Sequence, residues 1–257
     1  CPIVVMARYG TILQFLNIIV ICVIFVDSTI VNTFTQDSVG FNHMTVDTIT
    51  GDVYIGGVDY IYRLDTDLQL IYNITTKPDD RTDNYNKILS INYDDNNLVT
   101  CGRDNGYCQI RNLTDLSVLG DSDIYVAANT VEDSTVGFVA PGYDDKPMLY
   151  VGTSKRGLDY GREAVSGRQL EENIFSTVSA TPGVTTSVSI ISYYQTSDDV
   201  IYIQGFSYGG FSYFLTVQRL GRYDNSYISR IVRVCQERND YCYHSYTEVT
   251  LQCNSPD

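Results

Sequence analysis

Tryptophan is absent from these 257 residues, histidine occurs twice, and lysine with arginine number 17 against 31 aspartates and glutamates. The shortage of positive charge excludes one class of partner. At a net charge of −14 a phosphate backbone is repelled, and no Lys/Arg stripe compensates locally, so nucleic acid is not an expected ligand. The chain also lacks C-x-x-C, H-E-x-x-H and P-loop motifs. Asp94-Asp95-Asn96-Asn97 and Asp121-Ser122-Asp123 lack the glycine and distal glutamate of a calcium loop, and turn chemistry accounts for them. No metal, cofactor or small-molecule substrate is therefore expected. With only His43 and His244 to serve as a base, hydrolytic chemistry is poorly supplied. Gly205-Phe206-Ser207-Tyr208-Gly209 satisfies G-x-S-x-G, but a nucleophile elbow needs a helix after the serine, and the next residues read as a second strand. A hairpin turn is the simpler reading, and the chain is expected not to be an enzyme.

Long apolar runs are equally scarce. The one present, Ile12 to Val26, is interrupted by Gln14 and Asn17, follows a basic Arg8, and ends near small residues. It is shorter than the roughly 20 residues of a membrane span and sits where a signal peptide belongs. Residues 6–28 are expected to be that leader, with a signal anchor as the alternative; residues 1–5 read as translated upstream sequence, and 29–257 as the mature part. The cysteines agree with the secretory pathway. Cys101, Cys108, Cys235, Cys242 and Cys253 follow the leader, an odd number in an oxidising compartment. Asn73-Ile74-Thr75 and Asn112-Leu113-Thr114 are N-glycosylation sequons that fit the same compartment.

What the chain does have is 22 tyrosines, together with many Val, Ile and Thr, residues suited to pleated, half-buried surfaces. Beyond the leader the pattern alternates in short runs broken by Gly, Asp and Asn, with no clean helical period. Met44–Asp47, Val53–Gly57, Tyr60–Leu64 and Leu68–Tyr72 make one antiparallel meander. Strands ending in glycine recur at Gly56, Gly102, Gly152 and Gly205, spaced by 46, 50 and 53 residues. A four-stranded repeat of about that length is the signature of propeller blades, each stable only when stacked on its neighbours. A pair of β-sandwiches is the alternative. Around the turn Arg103-Asp104-Asn105-Gly106, a hairpin would bring Cys101 and Cys108 together as a structural disulfide.

The same residues carry a specific resemblance. Phe41-Asn42-His43, Gly51–Gly57, Leu64–Leu68, Asn86–Leu89, Leu98–Gly102, Gly106–Cys108, Phe211–Gln218, Ser229–Cys235 and Leu251-Gln252-Cys253 resemble, in order, the sema domain of plexins. Val126–Asn129 and Thr135–Val139 lean towards the B class. Two cysteines usual in plexins are missing from Ile74–Lys87. The resemblance implies an all-β, seven-bladed propeller of about twice this length, of which 29–257 would form the N-terminal half, about the first three to four blades. It implies that Cys235 and Cys253 pair with residues beyond this chain. It implies a semaphorin receptor ectodomain on the extracellular side of the plasma membrane, with semaphorin, and other plexin chains, as partners in semaphorin–plexin signalling. A semaphorin-like ligand or soluble decoy is the alternative, and a propeller hydrolase a remote one. The stretch Lys155–Thr186 reads as a polar insertion, and Arg156 and Arg162 within it are candidate ligand contacts.

Overall fold

A computed structural model describes residues 3–4, 31–36, 40–77, 83–102, 105–128, 130–142, 145–154, 163–177, 187–189, 200–221, 224–236 and 242–252. The leader run Ile12–Val26 lies outside the described residues. Ile3–Val4 pairs with Thr33–Phe34. The remaining strands form four antiparallel sheets, each a meander in chain order. Sheet 1 holds β1 (Phe41–Val46), β2 (Val53–Gly57), β3 (Tyr60–Leu64) and β4 (Leu70–Thr75). Sheet 2 holds β5 (Asn86–Asn92), β6 (Asn97–Gly102), β7 (Cys108–Asn112) and β8 (Val118–Ser122). Sheet 3 holds β9 (Thr135–Pro141), β10 (Pro147–Thr153), β11 (Val165–Gln169) and β12 (Ser187–Val188). Sheet 4 holds β13 (Ile201–Tyr208), β14 (Phe211–Gly221), β15 (Asp224–Cys235) and β16 (Thr247–Leu251). A 3₁₀ turn spans Cys242–Ser245.

Strand residues point alternately to opposite faces, and in the inner sheets both faces are dry. Leu98 packs with Leu89 and Ile91 against Tyr54 and Ile61 of sheet 1. Its neighbour Val99 points the other way, with Ile88, onto Leu149 and Val151 of sheet 3. Sheet 3 hands on the same arrangement: Met148 and Tyr150 meet Tyr202, Phe214 and Val232 of sheet 4. Sheets of a β-sandwich share one core and keep one wet face each, so this sequential stacking sets the sandwich alternative aside. The order is propeller-like. The first strands pack in succession, β1 on β5, β5 on β9 and β9 on β13. β4 and β16 are almost wholly exposed.

Two positions depart from the sequence reading. Gly56, Gly102 and Gly152 sit near the ends of second strands, but Gly205 lies in the first strand of sheet 4. Its missing side chain serves a different packing: a Cβ there would come within 2.7 Å of Phe138 Cε1. Lys155–Thr186 is also not a single insertion, because Val165–Gln169 is a buried third strand. Its Ser166 and Arg168 are polar yet 0% and 2% exposed.

A local device recurs at the turn after the third strand. Leu68, Leu116 and Phe175 adopt left-handed backbones (φ 59°, 59° and 64°) while their side chains are buried. This conformation is costly for large side chains, and insertion into the core offsets it. In sheets 2 and 3 a third-strand arginine caps the turn: Arg111 Nη1 donates to Leu116 O at 2.8 Å and Arg168 Nη1 to Phe175 O at 3.2 Å. In sheet 1 the corresponding Arg63 pairs with Asp52 at 2.7 Å and reaches across to Thr114 O, also at 2.7 Å, joining sheets 1 and 2.

Candidate functional site

The first strands of all four sheets face a common recess of about 620 Å³. Its walls are held by contacts between sheets. His43 Nδ1–H donates to Asn86 O at 3.0 Å, joining β1 to β5. Burial, reinforced by the Lys87 charge, lowers the pKa of His43, so the ring is neutral at physiological pH. Lys87 Nζ donates to Asp133 O at 2.8 Å, tying β5 to the approach to β9. Ser134 Oγ accepts from Tyr202 N at 2.7 Å, tying that approach to β13. These groups are committed to structure, and no group of three or more His, Cys, Asp or Glu residues poised for a metal occurs among the described residues. The recess is a framework for the sheets.

Cys101 and Cys108 are directly opposite on β6 and β7, their Cα atoms 4.0 Å apart, and are joined by a disulfide. Both are buried between sheets 2 and 3. Replacing both by alanine should lower unfolding free energy by about 2.5 kcal/mol through the lost loop constraint. Urea denaturation followed by circular dichroism measures it; a change under 1 kcal/mol would assign the bond no stabilising role. Cys235 is disulfide-bonded within this chain, which corrects the expectation of a partner beyond it. Cys253 lies outside the described residues.

Asn73 is exposed in the middle of β4. Asn112, half-buried, closes β7 and uses its side-chain Oδ1 to accept Thr114 N at 2.6 Å. Arg156 and Arg162 lie outside the described residues, in the connection from β10 to β11. Ser207, centre of the G-x-S-x-G run, is the penultimate residue of β13, before a hairpin turn in which Gly209 and Gly210 have φ of 56° and 78°. Its hydroxyl donates to Gln236 Oε1 at 3.0 Å. A strand follows where an elbow needs a helix.

Sheet 4 is lopsided. Ser212, Phe214, Thr216, Val232 and Val234 face sheet 3 and are buried. The opposite face carries Tyr208 at 75%, Ile203 at 57% and Val249 at 57% exposure. Phe206 stacks on Tyr213 there with ring centroids 5.1 Å apart, and the Arg233 guanidinium lies 4.5 Å over Phe211. Apolar side chains gathered on one sheet face, rather than scattered singly, mark a surface suited to a covering element. Sheet 1 has a cover on its corresponding face: Phe34 lies 5.4 Å from the Tyr62 ring and 5.7 Å from that of Phe41.

No family model matches the chain. It is similar to mouse Plexin-A4, 31% identical over 255 residues that take in 83% of this chain and 13% of that protein. A solved structure of the Plexin A4 full extracellular region superposes with a TM-score of 0.73 at 30% identity, covering 84% of this chain and 28% of the other. Drosophila Semaphorin 2a superposes with a TM-score of 0.63 at 13% identity, over 88% of this chain and 42% of the other, and shares the fold. The chain is thus a homologue of A-class plexins and resembles their extracellular region, spanning about an eighth of the curated relatives' length. The lean towards the B class is corrected: these relatives are of the A class.

Proposed function

We propose that this chain belongs to the ligand-binding ectodomain of a plexin-like receptor, acting in semaphorin–plexin signalling on the extracellular side of the plasma membrane. The observation that carries the reading is the superposition on the Plexin A4 extracellular region at 30% identity over 84% of this chain. A rigid ring of sheets offers its loops and rims to a protein ligand, and that is a binding role with no catalytic step. The match at 31% to a receptor, against 13% to a semaphorin structure, favours receptor over ligand or decoy. The G-x-S-x-G turn gives the hydrolase alternative no support.

In this reading the four sheets are the first blades of a seven-bladed sema ring. The apolar outer face of sheet 4 takes the next blade, and residues 6–28 direct the chain into the secretory pathway. Semaphorin is the protein ligand and other plexin chains are further partners.

Soluble dimeric semaphorin ectodomains titrated onto cells displaying the receptor that contains this chain should bind saturably. Absence of saturable binding across the semaphorin classes would overturn the reading. Arg156 and Arg162 are the proposed contacts, and the double variant Arg156→Glu, Arg162→Glu should weaken capture by about tenfold through charge reversal at the rim. Unchanged affinity would remove those two residues from the interface and leave the receptor reading standing.

A further inference from the structure

We propose that Asn73 carries an N-linked glycan whose role is to keep the edge of sheet 1 from pairing with another chain. The proposal rests on the secretory reading above.

The outer strand of each sheet is paired on one side only, and a bare row of N–H and C=O groups invites a strand from elsewhere. Two of the outer strands are protected by means visible in the structure. β8 has a register shift between Val118 and Gly120 and carries Asp121. β16 carries Glu248, ion-paired with Arg230. β4 reads Leu70-Ile71-Tyr72-Asn73-Ile74-Thr75, without one charged residue. Its Leu70, Ile71 and Tyr72 are 45%, 46% and 45% exposed. A bulge at Ile71 bends the strand but adds no charge. By the rule that an exposed, apolar, uncharged edge is an association site, β4 is an unprotected edge among the described strands.

The sequon lies in that strand. Asn73 is exposed opposite Tyr62, and among the described residues its carboxamide makes no side-chain hydrogen bond. A branched, hydrated glycan there would occupy the space a pairing strand needs. In the transfer, Asn73 Nδ2 bonds to C1 of a lipid-pyrophosphate-linked oligosaccharide. The C1–O bond breaks, the lipid pyrophosphate leaves with the electron pair, and one Nδ2 proton passes to a base of the transferase. The second sequon has no such duty. Asn112 sits at the turn from β7 to β8, where Leu113 O accepts from Tyr54 Oη at 2.9 Å, so a glycan there covers a junction between sheets that is already closed.

The full chain, made in a secretory host, tests this. Site-resolved mass spectrometry before and after glycosidase should find a glycan on Asn73. Asn73→Gln and Thr75→Ala should each raise the associated fraction, read by size exclusion with light scattering, about threefold at equal concentration. Asn112→Gln should leave it unchanged. Adding Ile71→Lys to Asn73→Gln should restore the wild-type value, because an edge lysine replaces the lost barrier. A glycan on Asn112 with none on Asn73 would overturn the proposal and leave the secretory reading intact. No glycan on either would sink the secretory reading itself. A glycan on Asn73 whose removal leaves association unchanged would overturn the protective role alone.

Discussion

Gly106→Val should destabilise the chain by about 3 to 5 kcal/mol, the sum of a left-handed backbone penalty and a backbone clash. Asn105 and Gly106 both have left-handed backbones, with φ of 54° and 71°. The Gly106 carbonyl accepts from Val126 N and Ala127 N, each at 3.0 Å, so the segment leading to β9 lies directly on the turn. A Cβ on Gly106 would fall 2.1 Å from Ala127 O, a backbone atom that cannot step aside without losing those bonds. Gly210 supplies the comparison, because its φ is 78° but nothing lies within 4 Å of its Cβ position. Gly210→Ala should cost only about 1 kcal/mol, the backbone penalty alone. Urea denaturation of Gly106→Ala, Gly106→Val and Gly210→Ala separates the two contributions. Equal losses for the two alanine variants would show that the packed carbonyl of Ala127 does not matter.

That turn was legible in the sequence because Asn-Gly is what two successive left-handed residues demand. The disulfide followed from it, since closing the hairpin sets Cys101 opposite Cys108. Three strands of sheet 1 were legible from short runs rich in β-branched and aromatic residues, while the fourth begins at Leu70 because Leu68 takes a left-handed backbone in the preceding turn. β11 was not legible. Ser166 and Arg168 read as loop residues, yet they are buried together, Arg168 Nε donating to Ser166 Oγ at 2.9 Å. Burial pushes the Arg168 pKa down to about 10, which still leaves it charged at neutral pH. Periodicity arguments miss a polar pair that is buried together.

A sharper repeat than the glycine spacing was also present. Arg63-Leu64-Asp65-Thr66-Asp67-Leu68 and Arg111-Asn112-Leu113-Thr114-Asp115-Leu116 share R-x-x-T-D-L at an interval of 48 residues. It encodes the third-strand arginine and the left-handed leucine of the following turn. Sheet 3 lengthens that turn before Phe175, which hides the correspondence. The class assignment failed for a related reason. Val126 and Ala127, part of the stretch used for it, are 0% exposed and packed into the core, where selection is for fit. The proposed ligand contacts could not be weighed at all from packing, since Arg156 and Arg162 lie outside the described residues.

Phe214→Ala should cost about 3 to 5 kcal/mol, the range for deleting a fully buried aromatic ring. Phe214 is 0% exposed at the junction of sheets 3 and 4. Its ring centroid lies 5.6 Å from that of Phe138 and 6.1 Å, edge-on, from that of Tyr202. The room for this cluster comes from Gly152, where a Cβ would sit 2.3 Å from Tyr202 Cδ1 and 2.9 Å from Phe214 Cδ1. Both sides of the junction are thus already close-packed, and collapse around the missing ring is limited. Tyr208, 75% exposed on the opposite face of the same sheet, should tolerate alanine within about 0.5 kcal/mol in this chain. Chemical denaturation of the two variants reads the contrast, and a Phe214→Ala loss under about 1 kcal/mol would show that sheets 3 and 4 do not stack through this ring. In a longer protein with a further sheet docked on sheet 4, the contrast should shrink. Phe214 would remain buried against sheet 3, while Tyr208, now covered, would begin to cost stability when truncated. The gain in the Tyr208→Ala penalty between the two lengths therefore measures the junction the exposed face is proposed to make.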